Sequence, residues 1–161
     1  RSGLSNVHPV AIAHERDERI KRLAGKMDRV LVDAPCSGLG TLRRNPDLKW
    51  RQTAAGVQEL QAKQMAILAS AQRLVKPGGR LVYATCSILP DENEAVAEAF
   101  TAAHLDFVPV PVADVLGKLM ASVDAQPAPD SSALCAGPYL RLWPHRHDTD
   151  GFFAAVWERK A

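Results

Sequence analysis

The chain has 161 residues, of which 47% are hydrophobic and 24% charged, with a net charge of +2. That is one domain's worth of sequence, able to bury a core without disulfide or metal staples, and it excludes wholesale disorder and fibres. The charge is too small to imply nucleic acid by itself, and no apolar run approaches the ~20 residues that span a bilayer.

In chain order, Val7, Val10 and Ile12 predict a short strand over residues 6–12, confined to a sheet edge by Pro9. Residues 14–23 predict a short, charged helix whose narrow apolar face is Ile20, Leu23 and Ala24, ended near Gly25. The apolar run at 29–34 predicts a strand buried on both faces, followed by a loop of small residues, 35–40. Residues 41–51 are basic and irregular, with turn chemistry at Asn45-Pro46-Asp47. The strongest helix is predicted over 57–75, where Leu60, Gln64, Ile67, Leu68, Ala71, Leu74 and Val75 share a face, and Pro77-Gly78-Gly79 stops it. A second central strand is expected at 80–85, ending in Thr85-Cys86-Ser87, then a helix at 91–104 with an acidic first turn. A strand interrupted by Pro109 and Pro111 follows at 107–112, and 122–138 reads as a loop. The last strands, 139–143 and 152–157, flank a polar turn and suit an antiparallel pair. Strands alternating with helices predict an α/β fold with a mostly parallel sheet and a C-terminal antiparallel strand.

In such sheets ligands sit beyond the carboxyl ends of the strands. Cys36 and Cys86 both follow such ends, so the sheet brings two sequence-distant thiols toward one crevice. A thiol attacks as the thiolate and needs partial exposure and a lowered pKa, whereas an ordinary free cysteine is simply buried. The third cysteine, Cys135, falls in the 122–138 loop and receives no role. An odd, widely spaced set of three fits free thiols in a reducing compartment, hence the cytoplasm. Arg43, Arg44, Lys49 and Arg51, with Trp50 among them, suit phosphate neutralisation and base stacking; the alternative is a solvated basic loop. Asn93 and Glu94 suit either helix capping or a substrate contact. Asp150 is expected to position the strand carrying Phe152 and Phe153. Histidines 8, 14, 104, 145 and 147 share no ligand spacing with a cysteine pair, so no metal site is expected.

Five separated motifs stand in a fixed order. They are Asp33-Ala34-Pro35-Cys36-Ser37-Gly38, then Arg43 to Trp50, then Lys76-Pro77-Gly78-Gly79 leading into Thr85-Cys86-Ser87, then Pro90-Asp91-Glu92-Asn93-Glu94, and Asp150-Gly151-Phe152-Phe153. The series resembles the NOL/NOP/Sun family of RNA cytosine-C5 methyltransferases, above all its bacterial Sun/Fmu (RsmB-type) branch, which acts on 16S ribosomal RNA. The resemblance implies a partial Rossmann-like class I methyltransferase fold, S-adenosylmethionine as methyl donor and RNA as partner. It implies Cys86 as the nucleophile on cytosine carbon 6 and Cys36 as the thiol that helps release product. Asp33 is implied as a cofactor contact, and Arg43, Arg44, Lys49, Trp50 and Arg51 as RNA contacts. Related DNA enzymes use the Pro-Cys cysteine as nucleophile, which would reverse the two thiol roles.

The chain departs from the family in lacking a glycine-rich turn after a strand and an acidic residue ending the next one; Gly78-Gly79 stands between helix and strand instead. Counting back from Asp33, the family's third-strand acid falls near His14, with Glu15 or Asp17 as substitutes only if the register shifts. Residues 1–161 are therefore expected to be the C-terminal part of a catalytic domain that begins near its third strand. That fits a first residue of Arg1 rather than Met. The glycine-rich half and an N-terminal RNA-binding domain are expected outside it, and weak or no binding of S-adenosylmethionine within it. The alternative is a non-catalytic RNA-binding remnant of the same fold. A thiol hydrolase is disfavoured because no histidine is placed to pair with Cys86.

Overall fold

A computed structural model describes residues 3–121 and 131–161. A four-residue helix, α1 (Glu18–Lys21), is capped by Asp17, whose carboxylate accepts from the Arg19 N–H. Strand β1 (Met27–Asp33) leads into the small-residue loop and a short helix, α2 (Leu48–Arg51). The long helix α3 (Ala54–Ala71) starts at Thr53, whose hydroxyl accepts from the Gly56 N–H, and tightens into a 3-10 turn, Gln72–Leu74. Strand β2 (Val75–Thr85) is followed by a 3-10 turn, Pro90–Glu92, and helix α4 (Glu94–Ala103). The C-terminal part holds β3 (Phe107–Pro109), α5 (Val112–Ala121), β4 (Cys135–Ala136), β5 (Tyr139–Leu142), α6 (Pro144–His147) and β6 (Phe152–Arg159).

The strands form one sheet in the order β1-β2-β6-β5-β4. β1 and β2 run parallel, with Asp33 opposite Ala84, so their carboxyl ends lie side by side. β6 lies antiparallel to β2, with Thr85 opposite Phe153. Its other edge is shared by β5, opposite residues 152–154, and β3, opposite residues 157–159. The core sits where α3 and α4 cover this sheet: Leu68, Leu81, Tyr83, Val96, Phe153 and Trp157 are essentially sealed from solvent. Phe100 packs edge-on against Phe107 and Trp157, with ring centroids 5.5 and 4.7 Å away.

The α/β, Rossmann-like class holds, and the last two strands pair antiparallel as expected. The antiparallel share exceeds a single C-terminal strand, because β6 pairs antiparallel with β2, β3 and β5. The strand expected over 6–12 is absent: the segment has no sheet partner, and Val7, Val10 and Ile12 are exposed. β1 is covered on one face only; Leu31 on the other is 67% exposed, and β1 is also the edge strand of the sheet. Val75 ends no helix but opens β2, paired with Met27. The Pro-Gly-Gly segment bulges within β2, with Gly78 at a φ of 70° that favours glycine. The strand expected over 107–112 stops at Pro109, and α5 follows Pro111. Of the loop expected at 122–138, residues 122–130 lie outside the described residues, and Cys135 belongs to β4 rather than a loop. Among the described residues no helix is long and apolar enough to cross a membrane.

Candidate active site

The parallel pairing of β1 and β2 decides the site. Each strand delivers a cysteine just past its carboxyl end, and the two sulfurs lie 3.4 Å apart. Both cysteines are partly buried free thiols. Backbone bonds fix the two loops: Ala34 donates to the Ala84 carbonyl, and Gly40 donates to the Cys86 carbonyl, both at 2.9 Å. Gly40 has no room for a side chain, because an added Cβ would stand 2.6 Å from the Cys86 carbonyl oxygen.

The contact is electrically uneven. The hydrogen bond from Cys36 pulls the Cys86 thiol down to about 7, against burial and the charges of Asp33 and Glu92. The same contact, reinforced by burial, pushes the Cys36 thiol up. Cys86 is therefore the sulfur that ionises first, with Cys36 as its protonated partner.

Behind the thiols lies a polar network that sequence reading missed. The Glu92 side chain is fully buried. It accepts from the Ser37 N–H (2.8 Å), the Gln64 amide (3.0 Å) and the hydroxyls of Ser37 and Ser87 (2.5 Å each). Gln64 also donates to the Pro35 carbonyl at 2.9 Å, and Gln52 to the Ser37 carbonyl at 2.8 Å. Gln64 stood in the apolar stripe of a predicted helix; a lone amide there was the available signal. Asn93 does not cap α4 with its side chain. Its buried amide accepts from the Thr85 hydroxyl and donates to the Ser87 carbonyl, clamping the turn that holds Cys86. Glu94 pairs with the buried Arg141 at 3.6 Å, and Arg141 donates to the Ile88 carbonyl.

The basic segment divides. Arg43 and Arg44 both pair with the buried carboxylate of Asp150, and Arg43 reaches Asp148 as well. Asp150 thus anchors this segment, whereas the sequence predicted that it would position the strand carrying Phe152 and Phe153. Phe153 is core, while Phe152 is partly exposed. Arg51 pairs with Asp47 at 2.7 Å. Lys49 stands over the Trp50 ring at 4.8 Å, and Trp50 is 81% exposed. His147 holds the Trp143 N–H and faces the Ala133 carbonyl. Among the described residues no cluster of His, Cys, Asp and Glu is placed to hold a metal ion.

Residues 4–158 match the family described as 16S rRNA methyltransferase RsmB/F. The chain belongs to this family. A probable ribosomal RNA small subunit methyltransferase B of Synechocystis is 44% identical over 129 residues, covering 80% of this chain and 26% of that protein. A probable enzyme of the same name in Bacillus subtilis is 35% identical over 161 residues, covering 99% and 33%. The crystal structure of NSun6 from Pyrococcus horikoshii with SFG matches with a TM-score of 0.70 at 26% identity, covering 99% of this chain and 36% of that one. The chain spans about a quarter to a third of these curated RsmB/F relatives.

His14 and Asp33, the expected cofactor contacts, line one open groove of about 560 Å³ beside β1, with Ile12, Glu15, Leu31 and Lys63 also on its walls. An exposed carboxylate, an imidazole and an apolar wall fit part of a nucleoside-bearing cofactor. Asp17 does not contribute: both its oxygens are taken by Arg19 and by the Ala13 and Arg19 N–H groups.

Proposed function

We propose that this chain forms the thiol centre of an S-adenosylmethionine-dependent RNA methyltransferase that acts on carbon 5 of a cytosine in 16S ribosomal RNA. The observation that carries the reading is the 3.4 Å contact between Cys36 and Cys86 at the ends of parallel strands. Cytosine carbon 5 is a poor nucleophile. The Cys86 thiolate adds to carbon 6, forming an S–C bond and moving the ring's electron pair toward carbon 5, which takes the methyl group. When bound, S-adenosylmethionine would supply that methyl group from its sulfonium and leave as S-adenosylhomocysteine, and Asp33 and His14 would form part of its groove. Loss of the carbon-5 proton to a solvent base then returns an electron pair to the ring and breaks the C6–S bond, and Cys36, kept protonated beside Cys86, donates a hydrogen bond to the departing thiolate. Lys49, Trp50 and Arg51 meet the RNA backbone and an unstacked base, with Arg43 and Arg44 close behind. The reading implies a reducing, cytoplasmic setting and remaining catalytic and RNA-binding segments outside residues 1–161.

The complete protein tests the reading. With target RNA and methyl donor, Cys36→Ala should accumulate a covalent RNA–protein adduct on a denaturing gel, and Cys86→Ala should give none. Adducts that persist without Cys86 would reverse the two roles. No adduct in any variant would favour the non-catalytic RNA-binding reading.

A further inference from the structure

Glu92 stands on neither thiol loop, yet it holds both. Its carboxylate belongs to the 3-10 turn Pro90–Glu92, beyond β2. Ser37 directly follows Cys36, and Ser87 directly follows Cys86. Their hydroxyls lie 3.1 Å apart and both donate to the same Glu92 oxygen. The other oxygen takes the Ser37 N–H and the amide of Gln64 on α3. Tyr83 of β2 donates to the Glu92 backbone carbonyl at 2.6 Å, which fixes the turn itself. A buried carboxylate is costly unless donors surround it, and four donors converge here. This geometry makes one rigid knot of two loops that are 50 residues apart in sequence.

We propose that Glu92 is a positioning residue that holds the Cys36 and Cys86 sulfurs in register by binding the serine next to each. The inference rests on the reading of Cys86 as the nucleophile and adds a device for keeping its partner thiol within hydrogen-bond reach. A charge effect alone would act in the opposite sense. Asp33, at the end of β1, and Glu92 both disfavour a Cys86 thiolate, while the Cys36 thiol favours it. Removing the Glu92 charge without disturbing the sulfurs would make Cys86 ionise more easily. Losing the register removes the Cys36 donor and makes it ionise less easily.

The signs separate in one experiment on the complete protein, without RNA or methyl donor. Iodoacetamide alkylation of Cys86 is followed against pH by peptide mass spectrometry in wild type, Glu92→Ala and Glu92→Asp. The proposal expects the Cys86 midpoint to rise by about one unit in both variants, slowing alkylation at pH 7 about fivefold. Glu92→Asp keeps the charge but is one methylene too short to reach both serines, so it carries the test if Glu92→Ala fails to fold. A midpoint that falls in Glu92→Ala, or stays put in Glu92→Asp, overturns the proposal. Because alkylation needs no turnover, this outcome is independent of adduct formation, whose absence would strike only the reading of the reaction.

Discussion

A thiol next to a thiol is an unusual way to make a thiolate, and its consequences can be measured residue by residue. Two sulfurs 3.4 Å apart cannot both ionise cheaply, so the first proton leaves one and the second is held on the other. Cys86, lowered to about 7, exists as a substantial fraction of thiolate at neutral pH. Its ionisation is lost as pH falls below that value. Cys36→Ala removes the donor and should return Cys86 toward the ordinary thiol value of about 8.5, slowing its alkylation at pH 7 by roughly fifteenfold. Cys135, remote in sequence, serves as internal reference in the same digest and should not change. Unchanged or faster alkylation of Cys86 in Cys36→Ala would show that the thiol contact does not set its reactivity. Both cysteines were legible in the sequence, because each follows a short apolar run and local order alone puts it at a strand end. Glu92 was not, since a glutamate in a turn before a helix reads as dipole compensation until the fold brings Ser37 to it from 55 residues away.

At the scale of elements, the basic segment separates into a structural part and a presented part. Arg44 meets Asp150 across 106 residues of sequence, a pairing no local pattern encodes. Arg44→Ala should cost about 1–2 kcal/mol of stability, between the values for exposed and buried ion pairs, and any loss of RNA binding would accompany it. Trp50→Ala should leave stability within about 0.5 kcal/mol, because its ring is exposed, while removing about 1–3 kcal/mol of base stacking. Thermal melts and RNA titrations on the same variants check both statements. A Trp50→Ala protein with wild-type RNA affinity would leave α2 a solvated basic helix without an RNA contact through Trp50. The same dependence on distant partners explains the misread elements. Residues 6–12 have the composition of a strand but nothing to pair with. Val75 continues a helical stripe yet is claimed by Met27 across the sheet. Helix α5 carries a readable signal, with Val112, Val115, Leu116 and Leu119 at helical spacing after Pro111.

For the whole molecule the decisive feature is the uncovered side of β1. One long edge of β1 has no strand partner among the described residues, and Leu31 beside it is 67% exposed above an open groove. A strand edge with free N–H and carbonyl groups next to an apolar side chain is a template for another strand. The chain's relatives are about three times its length, so there is polypeptide in the family that could cover such an edge. Prepared by itself, the 161-residue chain should therefore self-associate in sedimentation velocity, increasingly so with concentration. Leu31→Lys should shift it to monomer with little cost in stability, because Leu31 buries little surface and an edge lysine opposes strand addition. An equivalent substitution at the exposed Leu105, far from β1 in sequence, should leave association unchanged and so distinguishes an edge effect from general solubility. A wild-type chain that stays monomeric would mean that the segment before β1 already shields the edge in solution.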